Sequence, residues 1–206
     1  LVEVTIGTIR IEGSDRADAE IVIDREAPTV EALVPVAIDE TPTRVSIRGV
    51  QPGGATDPTR RTDIVLRVPR GAVIERAQVM EGRLTLSSFS GQIAGDVRRG
   101  PIEGADVSGI LRLETGIGSV VLTRARLSPT GLLRLRAFNG DVRLTLAERP
   151  ANARILALAL NGHIKSEIPL TMRDTWGPRW GEATLGTGEP VISIDVVTGN
   201  VDLRSP

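Results

Sequence analysis

The ten residues Ala137–Leu146 read AFNGDVRLTL, and their alternation is the first indication of a fold. After the glycine, Val142, Leu144 and Leu146 are apolar, while Arg143 and Thr145 between them are polar. Successive side chains of a strand point to opposite faces, so this pattern predicts a strand with one buried face, entered through a bend at Gly140. Further on, Ala159–Ile168 reads ALNGHIKSEI and places a second Asn-Gly pair 22 residues after the first.

Working outward from Gly140, glycines with the same flanks stand at Gly71, Gly91, Gly118, Gly162 and Gly199. Seven residues before these anchors come Ile64, Leu84, Leu111, Leu133, Ile155 and Ile192. Two residues after them come Val73, Ile93, Val120, Val142, Ile164 and Val201. The residue before the glycine varies and includes Ile117 and Thr198, which avoid positive φ, so only the glycine can be required by the bend. A bend that needs glycine at one position can turn a corner without reversing the strand. The sequence therefore predicts an all-β fold, a single-stranded β-helix or β-solenoid of about six coils over residues 63–206. Neighbouring coils would lie about 4.8 Å apart, with Leu133 between Leu111 and Ile155. Residues 1–62 alternate less regularly. They predict N-terminal strands that cap the open end of the stack, with a small separate sandwich as the alternative.

The 206 residues are 40% hydrophobic and 25% charged, ordinary for a folded domain, but only 2% aromatic, so the core has to be aliphatic. A net charge of −1 offers no field that would hold nucleic acid. Lys165 is the single lysine beside 24 arginines, which reads first as a compositional bias and second as a choice of arginine for pairing with carboxylate or phosphate. Cysteine is absent, which excludes disulfides and thiolate metal sites. No apolar run approaches the roughly 18 residues needed to span a membrane as a helix. The chain starts at Leu1 rather than Met, the mark expected of a processed product.

Chemistry-bearing residues are sparse. His163 is the only histidine, so neither a histidine metal site nor a triad can be assembled. The Gly116–Gly118 pair has no helix after it to present amides to a phosphate. Asp96, Glu114, Asp141, Asp195 and Asp202 lie on or near strands and could pair as acid and base, yet only Glu114 and Asp195 share a phase of the repeat. The segment Ile168–Pro190 interrupts the alternation and carries Trp176 and Trp180 with Arg173 and Arg179. It reads either as a cover for the last coil or as an aromatic ligand-binding loop of Trp176, Arg179 and Trp180.

IVLRVPRGAVIERAQVMEGRLTLSSFSGQIAG (from Ile64), LRLETGIGSVVL, LRLRAFNGDVRLTL and ALALNGHIKSEI together resemble the bacterial putative-adhesin domain family. The resemblance implies a β-solenoid-like domain of exported or envelope proteins, periplasmic or on the cell surface, with no catalytic residues and no cofactor to carry over. The expectation is thus a nonenzymatic structural or adhesion-like module with an unidentified protein or glycan partner. A carbohydrate-binding or carbohydrate-active domain using the Trp176/Trp180 loop is the alternative, and a cytosolic scaffold is a third reading.

Overall fold

Alternating aliphatic residues with glycine at the bends favour strands over helices throughout, and a computed structural model of the chain, describing residues 1–54, 56–173 and 177–206, is all-β. Only two short 3-10 turns, Val30–Ala32 and Pro52–Gly54, interrupt the strands among the described residues. The N-terminal strands are β1 (Val2–Ser14), β2 (Glu20–Glu26), β3 (Ala37–Thr41), β4 (Arg44–Gly49) and β5 (Arg61–Pro69). They are followed by β6 (Val73–Ser87), β7 (Gln92–Arg99), β8 (Ile102–Ala105), β9 (Ile110–Ile117), β10 (Val120–Ala125), β11 (Leu132–Asn139) and β12 (Val142–Leu146). The chain ends with β13 (Ala153–Asn161), β14 (Ile164–Ser166), β15 (Thr171–Arg173), β16 (Arg179–Leu185), β17 (Val191–Thr198) and β18 (Val201–Arg204). Together they form an open 18-stranded sheet of mixed orientation.

The orientations are segregated. One parallel ladder runs through β4, the start of β1, the start of β6, then β7, β9, β11, β17 and β13. A second runs through β5, the end of β1, the end of β6, then β8, β10, β12, β18 and β14. Antiparallel pairing is confined to the outside, where β2 lies on β5, β3 on β4, β16 on β13 and β15 on β16.

Inward residues of each ladder form straight rows. Ile93, Leu111, Leu133, Ile192 and Ile155 are successive register partners in the first ladder, and all are fully buried or nearly so. Ile9, Leu84, Ile102, Val120, Val142 and Val201 do the same in the second. At roughly 1.5–3 kcal/mol for each fully buried large aliphatic side chain, these rows are the main cohesive element of the molecule. Phe89, at 0% exposure, is the largest fully buried side chain among the described residues.

Between the two ladders the chain turns at a column of glycines. A Cβ on Gly118 would lie 2.1 Å from the carbonyl oxygen of Gly100, and one on Gly140 would lie 1.9 Å from that of Gly118. Gly140 also has φ of +147°, so both backbone conformation and the close approach of the neighbouring chain exclude a side chain.

Two sequence expectations need correction here. Gly91 does not belong with Gly118 and Gly140: a Cβ on it would meet the Ala72 carbonyl oxygen, and the Gly91 oxygen faces Gly109, so these residues line another corner. The members of the Gly140 column nearer the N-terminus are Gly7, Gly82 and Gly100, the last two spaced 18 residues apart, and Leu84 accordingly pairs with Ile102 rather than aligning with Leu111. Strands alternate on both sides of every corner, so the pattern around one corner glycine resembles the pattern around another. A third corner carries a glycine only in β1, where a Cβ on Gly13 would lie 2.1 Å from the Ser88 carbonyl oxygen; Ser88, Asp106 and Arg124 follow it with φ of 52°, 54° and 51°.

The second correction concerns order. Leu133 does not adjoin Ile155, because β17 enters between β11 and β13 and Ile192 separates the two. After β14 the chain forms β15 and β16, runs back along the free edge of β13, and then crosses into that gap. β18 likewise lies between β12 and β14. The opposite terminus behaves alike, since β1 lies between β5 and β6, inside the stack rather than over its end.

Candidate ligand-binding face

Parallel, in-register strands place outward side chains in rows as straight as the inward ones. On the first ladder one such row runs Ala94, Arg112, Arg134, Ser193 and Leu156. Two residues along each strand, a second row runs Gln78, Asp96, Glu114, Arg136, Asp195 and Leu158, with Trp180 of β16 beyond. Neighbouring positions in a row are separated by about 4.8 Å at the backbone.

Several arginines of the two ladders face a carboxylate on the neighbouring strand. Arg48 is the register partner of Glu3, Arg67 of Glu12, Arg136 of Glu114 and Arg143 of Asp202. Arg112 and Arg134 are different. They are each other's register partners, both are exposed, and neither has a carboxylate oxygen within ion-pair distance among the described residues. Like charges placed directly across a ladder repel, so this arrangement costs stability in the free chain. Arg136 beside them has a nitrogen 3.8 Å from Glu114, lies 4.5 Å over the Phe138 ring, and keeps a buried Nε with no hydrogen-bond partner among the described residues.

A shallow groove of about 270 Å³ runs over this part of the face, lined by Arg76, Ala94, Asp96, Arg112, Glu114 and Arg134 among others. The small Ala94 side chain leaves the notch. A second groove of about 250 Å³ shares Arg134 and Arg136 and continues to Leu158, Leu160 and Asp195. Toward β13 the face becomes apolar because that strand is apolar on both sides, with Leu156, Leu158 and Leu160 pointing away from Ile155, Ala157 and Ala159. Leu160 is 45% exposed and Phe138 38%.

Elsewhere, a cleft of about 590 Å³ lies among loops at Leu127, Pro129, Arg149, Asn152 and Glu189, away from both sets of rows. An apolar groove of about 320 Å³ opens between the ladders at Val2, Ile21, Val45, Leu66 and Ile74.

The carboxylates singled out in the sequence do not all converge. Glu114 and Asp195 both flank Arg136, one strand to either side. Asp96 is the direct partner of Glu114, an adjacency hidden in the sequence by the misplaced Gly91 anchor. Asp141 instead accepts hydrogen bonds from Asn200 N at 2.9 Å and from Arg143 at 3.1 Å. The Arg204 guanidinium, 2.6 Å from the Asp202 carboxylate, holds that acid below its ordinary range. His163 is exposed, and its backbone N–H donates to Asn200 Oδ1 at 3.0 Å.

Of the expected aromatic loop, Trp176 lies outside the described residues. Trp180 and Arg179 are half-buried in β16, opposite Leu158 and Ala159 of β13. Antiparallel register places Trp180 on the face of Leu158, at the apolar end of the outward row. Arg173 opposite it pairs with Glu182 at 2.8 Å. Among the described residues no helix is long and apolar enough to cross a membrane.

No family model matches the chain, and no curated protein sequence matches it. A solved structure described as a "putative cell adhesion protein", from Clostridium sporogenes, is similar at 10% sequence identity and a TM-score of 0.48, over 100% of this chain and 91% of that one.

Proposed function

We propose that this chain is a noncatalytic, adhesion-like structural module of the bacterial cell envelope, built as a single-stranded β-solenoid and exported to the periplasm or cell surface. The observation that carries the reading is the straight outward row on in-register parallel strands, from Gln78 through Asp96, Glu114, Arg136 and Asp195 to Leu158. Side chains held on a rigid sheet lose little freedom when a partner binds, which favours contact through a broad, shallow surface. The partner is a protein or glycan, and the ladder acts as a platform rather than as a reaction centre.

Beads coated with the domain and washed under flow over envelope-derived or host-matrix glycans and proteins test this. Retention that falls when Glu114 and Arg136 are both replaced by Ala supports the reading, and equal retention of wild type, variant and uncoated beads overturns it. Fractionation of the source cells tests the location, for which recovery in the cytosol alone is the contrary result. A sugar-binding role for Trp176, Arg179 and Trp180 is the second reading, favoured by the place of Trp180 beside Leu158. On a glycan array it requires binding that Trp180→Ala abolishes.

A further inference from the structure

From the paired arginines on the first ladder we infer that the groove over β7, β9 and β11 is a binding site for an acidic glycan, a polyhydroxylated chain bearing sulfate or carboxylate groups. This rests on the adhesion-like reading and names its ligand class. Arg112 and Arg134 form the one arginine–arginine register pair among the described residues, and Arg76 lines the same groove. At several other positions the chain sets an acid opposite an arginine, as at Glu12–Arg67 and Asp202–Arg143, and nowhere else among the described residues does it set arginine opposite arginine, so the repulsion at Arg112–Arg134 is a local exception. An oxyanion between the two removes that repulsion, and guanidinium groups a strand apart offer it paired N–H donors. The cost in the free state becomes a gain in the bound state.

The neighbouring groups define the rest of the ligand. Asp96 and Glu114, two residues along the strands, accept hydrogen bonds and carry negative charge. They suit hydroxyl donors and disfavour a continuous run of phosphates, so a sugar chain fits this groove and a nucleic acid backbone does not. The notch at Ala94 admits a ring between Arg76 and Arg112. Past Arg134 the shared second groove offers Leu158 and Leu160, and Phe138 stands exposed nearby, apolar surface for a sugar's C–H face.

Calorimetric titration of the 206-residue chain with a heparin-derived hexasaccharide and, separately, with an oligogalacturonate of equal length distinguishes sulfate from carboxylate as the recognised group. Binding of at least one that weakens tenfold or more in Arg112→Gln/Arg134→Gln, while the unfolding temperature of the free variant is not lowered, is the expected result. Affinity should also fall as salt rises. Arg143→Gln, on the other ladder, should bind like wild type. The inference is overturned if neither oligosaccharide binds, if Arg143→Gln loses as much as the double variant, or if oligothymidylate binds as tightly as the sugars. The site and the adhesive role fail separately. Glycan binding in solution without retention of beads under flow removes the role and leaves the site, whereas retention that Arg112→Gln/Arg134→Gln does not change removes the site and leaves the role.

Discussion

At the scale of single residues, the direction of a side chain decides its importance. Leu135 has 0% exposure, between Leu113 and Ile194 in an inward row, whereas Arg143 is exposed on the outward face of β12. An unpaired carboxylate in the first position has no partner, so Leu135→Asp should cost more than about 4 kcal/mol and leave the chain unfolded at 37 °C. Arg143→Asp loses a surface pair with Asp141 and sets an acid opposite Asp202, and should cost about 1–2 kcal/mol. Thermal unfolding followed by circular dichroism separates the two, and similar losses would contradict the assigned register. The glycines give a second contrast. Gly140→Ala drives a Cβ onto the Gly118 carbonyl and should cost about 3 kcal/mol or more. Gly53→Ala, with φ of +71° and nothing within 4 Å, should cost only about 1–2 kcal/mol. Asp202 supplies the pH dependence. Its folded pKa lies below the value of about 3.9 for an unfolded aspartate, held there chiefly by the hydrogen bond from Arg204. Its contribution is therefore complete above that unfolded value and lost as pH falls through the folded one. Unfolding curves of wild type and Asp202→Asn should differ at pH 7 and converge in acid; a gap that persists at pH 2 would show that the ion pair is not its source.

At the scale of strands, the sequence was informative about faces and poor about order. Alternation identified Leu111, Leu133, Ile155 and Ile192 as members of one inward row because burial imposes a period of two on any strand, wherever its neighbours lie. It could not identify which strand adjoins which, since β17 would satisfy the same pattern beside β13 alone or between β11 and β13. Nor could it tell one corner from another, and the corner through Gly13, Ser88, Asp106 and Arg124 left no repeated mark because glycine stands there only once. Cross-linking tests the order, and the absence of native cysteine makes the result unambiguous. Cysteines at Arg143 and Asp202, register partners on β12 and β18, should form a disulfide. Cysteines at Arg143 and Lys165 should not, because β18 keeps β12 and β14 two strand spacings apart. Gel mobility before and after reduction reads both, and the reverse outcome would restore the simple sequential stack. Lys165, the sole lysine, sits on β14, whose one parallel neighbour is β18, and a charged side chain on such an edge discourages further strand pairing.

At the scale of the whole molecule, the candidate face emerges only from assembly. Arg112 and Arg134 are unremarked among 24 arginines in the sequence, and their meeting depends on the spacing between β9 and β11 and on the register that joins them. Trp180, conspicuous in a chain so poor in aromatics, lies at the margin of that face instead of at its centre. The placing of the two chain ends has a mechanical outcome. Tension applied through Leu1 and Pro206 would load β1 and β18, each gripped by hydrogen-bonded neighbours on both sides, so neither can peel away from a free edge. Each must shear two ladders at once. Stretched in an optical trap, the domain should hold and then rupture in one abrupt event, and a staircase of small, low-force extensions would contradict this; a tether so anchored transmits pull into its own middle.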